Sequence, residues 1–276
     1  MTLPWPFDRE YMQLALGAGV IVGAIAPTIG TFLVQRRMAL MGDGIGHVAF
    51  AGVAGGLLLG VWPVWTALVL SVAAALAMER LRLRARASGD VALALFFYSG
   101  IAAGVVLVGL AGSLDASLFS YLFGSVLTVD RRELVAVACL GGVVATAIAL
   151  TRRGLFGLVT DEEWSAVAGV PVSALNGLLV VLAAVTVVAS MRVVGLLLVA
   201  ALMVLPVACA QLVARSFRAT LRAAVAFGVG SVIAGLGAAR AWGLAPGGTV
   251  VLVSASMFAV LALVRSRRRR PAILGA

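Results

Sequence analysis

Nine apolar runs, at about 12–34, 47–60, 64–78, 91–111, 134–150, 173–190, 193–213, 223–239 and 248–264, leave this chain few folds to choose from. Long apolar runs of this kind read as transmembrane helices. In hydrocarbon a helix satisfies its own backbone polar groups, which is why such runs cross a bilayer as helices. Hydrophobic residues make up 63% of the 276 residues and charged residues 12%, which leaves nothing for a soluble domain. The expected fold is all-α, a polytopic transmembrane helical bundle of about 8–9 spans, with residues 1–276 forming a single membrane domain.

Arginine sets the expected orientation. The net charge is +10, and all 21 basic residues are arginine. Clusters lie at Arg36-Arg37, Arg80 to Arg86, Arg152-Arg153, Arg215 to Arg222 and Arg265 to Arg270. With nine spans and the N-terminus outside, all five clusters face the cytoplasm, and only Arg9, Arg131, Arg132, Arg192 and Arg240 lie outside. This placement between spans excludes a nucleic-acid partner and implies membrane lipids instead. It describes a multi-pass cell-membrane protein with a cytoplasmic C-terminus. The pattern requires a very tight outer turn at Val61-Trp62-Pro63-Val64-Trp65. No basic leader precedes the first run, so no cleaved signal peptide is expected, and Trp5 and Phe7 suit the membrane interface. Cys139 and Cys209 read as small buried packing residues. Gly19/Gly23, Gly42/Gly46, Gly52/Gly56 and Gly100/Gly104 have the spacing of close helix contacts, and Pro27 and Pro206 are expected to kink or loosen their helices.

Two segments carry chemistry. Asp43 and His47, the single histidine, lie four residues apart at the start of the second run, which begins near Met38. That spacing puts a carboxylate and an imidazole on one helix face, where they can share a divalent metal ion. The alternative for His47 is a packing histidine bonded to a backbone carbonyl, but an ionisable partner one turn away favours a transport path. In 113–130, the stripe Leu114, Leu118, Leu122 and Val126 predicts a helix at the outer interface. Asp115 there either meets an incoming cation or caps a helix start. The second segment is 160–171. Thr160 with Glu163 reads as a capping box, Asp161, Glu162 and Glu163 suit a helix start, and Gly169-Val170-Pro171 forms a stop. A short helix so delimited on the cytoplasmic side can grip a partner through Trp164 and Val167.

Together these features resemble the membrane permeases of the metal-type ATP-binding-cassette importers, which take up zinc, manganese or iron(II). Four stretches carry the resemblance, in order: Met38 to His47 (MALMGDGIGH), Leu118 to Ser125 (LFSYLFGS), Val193 to Ala208 (VVGLLLVAALMVLPVA) and Ala245 to Val251 (APGGTVV). The resemblance implies that Asp43 and His47 contact the transported ion, zinc or manganese, and that no cofactor is held permanently. Gly46 departs from the family's usual serine, which alters what surrounds the ligands. It further implies that 160–171 is the coupling helix of a cytoplasmic ATPase, with Asp161, Glu162, Glu163, Trp164, Val167 and Gly169 at the contact. The partners would be a second permease copy, that ATPase, and an extracytoplasmic metal-binding protein.

Other classes remain to be weighed. The chain lacks lysine, so it cannot form the phosphate-binding Gly-x-x-x-x-Gly-Lys-[Ser/Thr] motif and is not itself an ATPase. One histidine excludes a His-Glu-x-x-His peptidase. A proton-coupled secondary transporter would use Asp43 and His47 as a relay and need no docking helix. A siderophore or vitamin permease would need a large cavity rather than this pair.

Overall fold

The computed structural model describes residues 6–84, 89–111, 116–125, 129–196 and 198–269. Among them the chain forms eleven helices and no strand. They are α1 (Glu10–Gln35), α2 (Met41–Leu58), α3 (Pro63–Arg84), α4 (Gly89–Leu110), α5 (Ala116–Phe123), α6 (Arg131–Thr160), α7 (Glu162–Val167), α8 (Val172–Ser190), α9 (Val199–Val213), α10 (Phe217–Trp242) and α11 (Pro246–Arg269). Seven of these, α1, α3, α4, α6, α8, α10 and α11, are long and apolar enough to cross a membrane. The other two apolar segments fall short for different reasons. Asp43, His47 and six glycines lower the hydropathy of α2. The helix α9 has only 15 residues.

The short α9 corrects the expected run at 193–213. Residues 191–196 are not helical, yet Met191, Val193, Val194 and Leu196 are all buried. Gly195 adopts φ 94 and Gly124 φ 74, left-handed values that suit glycine. A side chain on either glycine would collide with the backbone of the other segment. The close approach lets Leu196 N–H donate to the Tyr121 carbonyl (2.9 Å) and Ser125 N–H to the Arg192 carbonyl (3.2 Å). This buried irregular backbone is satisfied in part by the end of α5 and in part by Ser190, whose carbonyl accepts from Val193 and Val194 N–H.

The helices α1 and α2 form the middle of the bundle. α1 packs on α6, α8, α9 and α10, and α2 on α3, α4, α8 and α9. Ile29, Phe32, Leu33, Met41, Ile45, Leu179 and Leu202 are sealed between them. The outer helices leave apolar side chains bare, including Val105 and Val106 on α4 and Leu150 on α6. Such faces need hydrocarbon or a partner rather than water. Cys139 lies on one of them and is exposed, contrary to expectation, because α6 is a peripheral helix there. Cys209 is buried as expected. α1 and α9 continue through Pro27 and Pro206. The tight turn after α2 is present: α2 stops at Leu58, Gly60 takes φ 65, and Pro63 opens α3, where its missing N–H costs nothing.

Charge divides the two ends of the bundle. At one end Arg240 meets Asp8 (2.8 Å), Arg131 meets Glu10 (2.8 Å) and Arg192 meets Glu133. Arg192 also lies over the Tyr121 ring, 4.5 Å from its centroid. At the other end Arg36 pairs with Glu162, and Arg265 donates to the free carbonyl of Leu212 at the end of α9 (3.0 Å).

The crossing of α1 and α9 depends on Gly30, where any Cβ would overlap the Met203 carbonyl. Gly30→Ala is predicted to lower stability by about 1–3 kcal/mol, the usual cost of overpacking. Gly17→Ala is the control, since its Cβ would make an ordinary 3.5 Å contact with Leu134. Thermal unfolding in detergent should separate the two variants, with only the first melting earlier than wild type.

Candidate functional site

The site at the head of α2 is shaped by small residues on its neighbours. Gly100 of α4 has no side chain, so α4 lies against the peptide of His47; a Cβ at Gly100 would stand 2.8 Å from the His47 carbonyl carbon. One turn earlier, the Phe97 ring meets the imidazole edge to face, with centroids 4.2 Å apart and planes at 70°. On another side Gly46 faces the segment before α9; a Cβ there would lie 3.3 Å from the Leu196 carbonyl oxygen. Asp43 sits in the first turn of α2, the positive end of its dipole.

Both polar groups are half-buried. The His47 Nδ1 is buried without a hydrogen-bond partner. The described residues offer the Asp43 carboxylate no hydrogen bond or ion pair. Buried polar atoms normally find a protein partner, so the bare Nδ1 of His47 is unusual, and the unpaired Asp43 carboxylate lies one turn from it on the same helix. They bring one oxygen donor group and one nitrogen donor group. No cluster of three or more His, Cys, Asp or Glu side chains that could hold a metal ion occurs among the described residues.

The acidic segment folds as expected into a short helix, but its cap is different. Thr160 is the last residue of α6, and its Oγ1 donates to the Phe156 carbonyl (2.9 Å). Asp161 takes the cap position of α7 instead, accepting from Trp164 N–H at 2.9 Å. No stop signal precedes Thr160, so α6 runs through it and leaves the first extended residue to Asp161. The far end closes as a Schellman turn. Gly169 has φ 79, its N–H donates to Ala166, and Val170 N–H donates to Ser165. The result presents Trp164 and Val167 to solvent, 71% and 82% exposed, which is unusual for residues of their size.

What holds α7 in place was not legible as a motif. Arg36, buried at the end of α1, donates to the Leu158 carbonyl (3.0 Å) and pairs with Glu162 (3.0 Å). Asn176 of α8 donates to the same carboxylate (3.2 Å). Burial alone would raise the Glu162 pKa. The Arg36 hydrogen bond and charge, the Asn176 amide and the Arg82 charge outweigh it and hold the carboxyl below its ordinary range. In the sequence Arg36 serves only as a topology marker, and Asn176 is a lone polar residue in an apolar run. That isolation was the available signal. Phe97 carried none, whereas Gly100 was marked by its spacing from Gly104 as a close-contact position. The site at α2 and the α7 network are separate clusters; Asp115 lies outside the described residues.

This arrangement of helices is already known. The manganese transport system membrane protein MntC of Halalkalibacterium halodurans is 35% identical over 252 residues, covering 91% of this chain and 86% of that protein. The high-affinity zinc uptake system membrane protein ZnuB of Haemophilus influenzae is 32% identical, covering 94% of this chain and 99% of that protein. Among solved structures, PsaBC from Streptococcus pneumoniae in complex with Fab superposes with a TM-score of 0.83 at 30% identity, covering 92% of this chain and 91% of that one. The model of the ABC 3 transport family matches residues 8–265. The resemblance carried by the four sequence stretches therefore holds across the whole bundle, and this multi-pass membrane protein belongs to the ABC 3 transport family.

Proposed function

We propose that this chain is the membrane permease of an ATP-driven importer for a divalent metal ion, zinc or manganese. One observation carries the reading. The two residues that the family resemblance assigns to the ion, Asp43 and His47, are the half-buried pair on α2 whose polar groups lack protein partners. The carboxylate supplies charge and the imidazole a softer nitrogen, a set compatible with either metal. Two ligands per chain make a weak site, which suits an ion that must leave again. A second copy of the chain and water complete the coordination.

In this reading nine helices cross the membrane: the seven long ones with α2 and α9. The end bearing Asp8 and Arg240 faces outward, toward a metal-binding protein, and α7 faces the cytoplasm. A separate ATPase docks on Trp164 and Val167. Its movement reaches the metal site through Glu162 and Arg36. Arg36 lies at the end of α1, in the short turn that leads into Met41 and then Asp43. A rigid α7, fixed by Asp161 and Gly169, is what makes such a contact able to carry force.

Asp43→Ala and His47→Ala are each predicted to abolish metal uptake by the reconstituted transporter while leaving membrane insertion intact. Normal uptake by both single variants would remove the pair from the path. Trp164→Ala with Val167→Asp should detach the ATPase. Loss of a buried tryptophan anchor costs about 2 kcal/mol or more, roughly thirtyfold in affinity. Co-purification reads the result directly, and Gly169→Ala should loosen the same contact by straining the left-handed stop.

The Glu162 contact gives a pH prediction. Its folded pKa lies below that of a free glutamate, so its contribution is fully present above the ordinary carboxylate range. As the pH falls from the free-glutamate value toward the lower folded pKa, that contribution declines progressively, and it is gone below the folded pKa. Hydrogen-exchange protection of α7, corrected for the intrinsic rate, should weaken progressively over that interval. In Glu162→Gln, exchange should be faster at neutral pH and lack this acid transition.

A further inference from the structure

A cleft of about 1150 Å3 opens between α1, α6 and α10, away from Asp43 and His47. Arg152 and Arg153 of α6 and Arg218 and Arg222 of α10 line it. Among the described residues none of these four makes an ion pair. Arg222 donates only to the Arg218 carbonyl, at 3.4 Å. The cleft's floor is aromatic: Phe217 packs against Phe32 and Phe156, with centroids 5.3 Å and 5.2 Å away. Ala145 and Ala149, both exposed, continue the apolar wall along α6 toward the middle of the bundle.

Depth identifies the ligand. Residues 131–152 of α6 rise about 32 Å, close to the thickness of the hydrocarbon layer. The remaining turns to Thr160 add about 12 Å before α7 begins. Arg152 and Arg153 therefore stand at headgroup level, on the membrane side of α7, with apolar surface running inward from them. We propose that this cleft binds an anionic phospholipid, its phosphate held by the guanidinium groups and an acyl chain lying along Phe217 and Ala149. Guanidinium and phosphate match as bidentate partners, and basic pockets between membrane helices suit such headgroups. Four cations suit a headgroup with two phosphates better than one, so a cardiolipin-type lipid is preferred over phosphatidylglycerol. A second permease copy is a poor occupant. A two-fold contact would set these arginines against themselves. A soluble ATPase acts beyond α7, further from the bilayer.

The test uses the intact transporter in nanodiscs of phosphatidylcholine, with or without added cardiolipin or phosphatidylglycerol. Retained lipid is counted by native mass spectrometry, and the melting temperature is followed. The wild type should retain cardiolipin about tenfold over phosphatidylcholine and melt later when it is present. Arg152→Gln with Arg218→Gln and Arg222→Gln should lose most of that tenfold preference, and the matching lysine variant should recover part of it. Ala149→Trp keeps every charge and fills the apolar wall, so it should also lose the lipid; it serves if the triple variant does not fold. Undiminished retention in both the glutamine triple variant and Ala149→Trp would overturn the proposal. So would displacement of the lipid by inorganic phosphate alone, which would mark a free-anion site. A photo-crosslinker at Ala145 should capture lipid; capture of the ATPase or a second copy would also overturn it.

Discussion

The enclosure of α2 is the constraint on which the rest of this molecule depends. A helix with an aspartate, a histidine and six glycines cannot stand alone in lipid, because its polar groups would face hydrocarbon. It stands here because α3, α4, α8 and α9 surround it. Its glycines, and Gly100 on α4, let those helices approach to backbone contact and exclude lipid from the site. The same residues that make α2 a weak membrane helix make it a well-packed central one. Long helices such as α4 and α6 instead leave apolar faces bare, which need hydrocarbon or a partner.

Unpaired charge is distributed unevenly, and the unevenness has a physical use. At the end of the bundle near Asp8, Arg131, Arg192 and Arg240 are each neutralised by a carboxylate. At the end near α7 many arginines have no acidic partner among the described residues, while Arg36 and Arg82 do. Uncompensated arginine resists translocation and favours an anionic leaflet, whereas paired arginine is easier to carry across. The paired arginines also tie loops together. Arg240 and Arg131 fasten the start of α1 to α10 and α6, and Arg192 anchors the irregular segment before α9 beside α5.

Arg36 joins two regions that would otherwise be independent. It closes α1, bonds to α6 and α7, and leads into α2. A buried guanidinium in such a place is costly unless its donors are met; the Leu158 carbonyl and the Glu162 carboxylate take its two terminal nitrogens, while Nε stays buried without a partner. The geometry of α7 is therefore linked to the turn that starts α2, a connection built from hydrogen bonds rather than from apolar contact.

Much of this was set locally by the chain. Hydropathy and length placed the helices, because a membrane helix satisfies its own backbone. The Asp43–His47 relation followed from helical periodicity, and the stop at Gly169 from the left-handed conformation that glycine tolerates. Tertiary structure decided what depends on distant segments. It delayed α9 to Val199, since Gly195 and Gly124 interlock across some seventy residues of chain. It put Phe97 on the imidazole and exposed Cys139 on a peripheral helix. It gave the cap of α7 to Asp161, because α6 ran on through Thr160. Periodicity fixes which residues share a face of one helix. Which face meets which depends on small residues and buried charges matching between helices far apart in sequence, and that match exists only in the folded bundle.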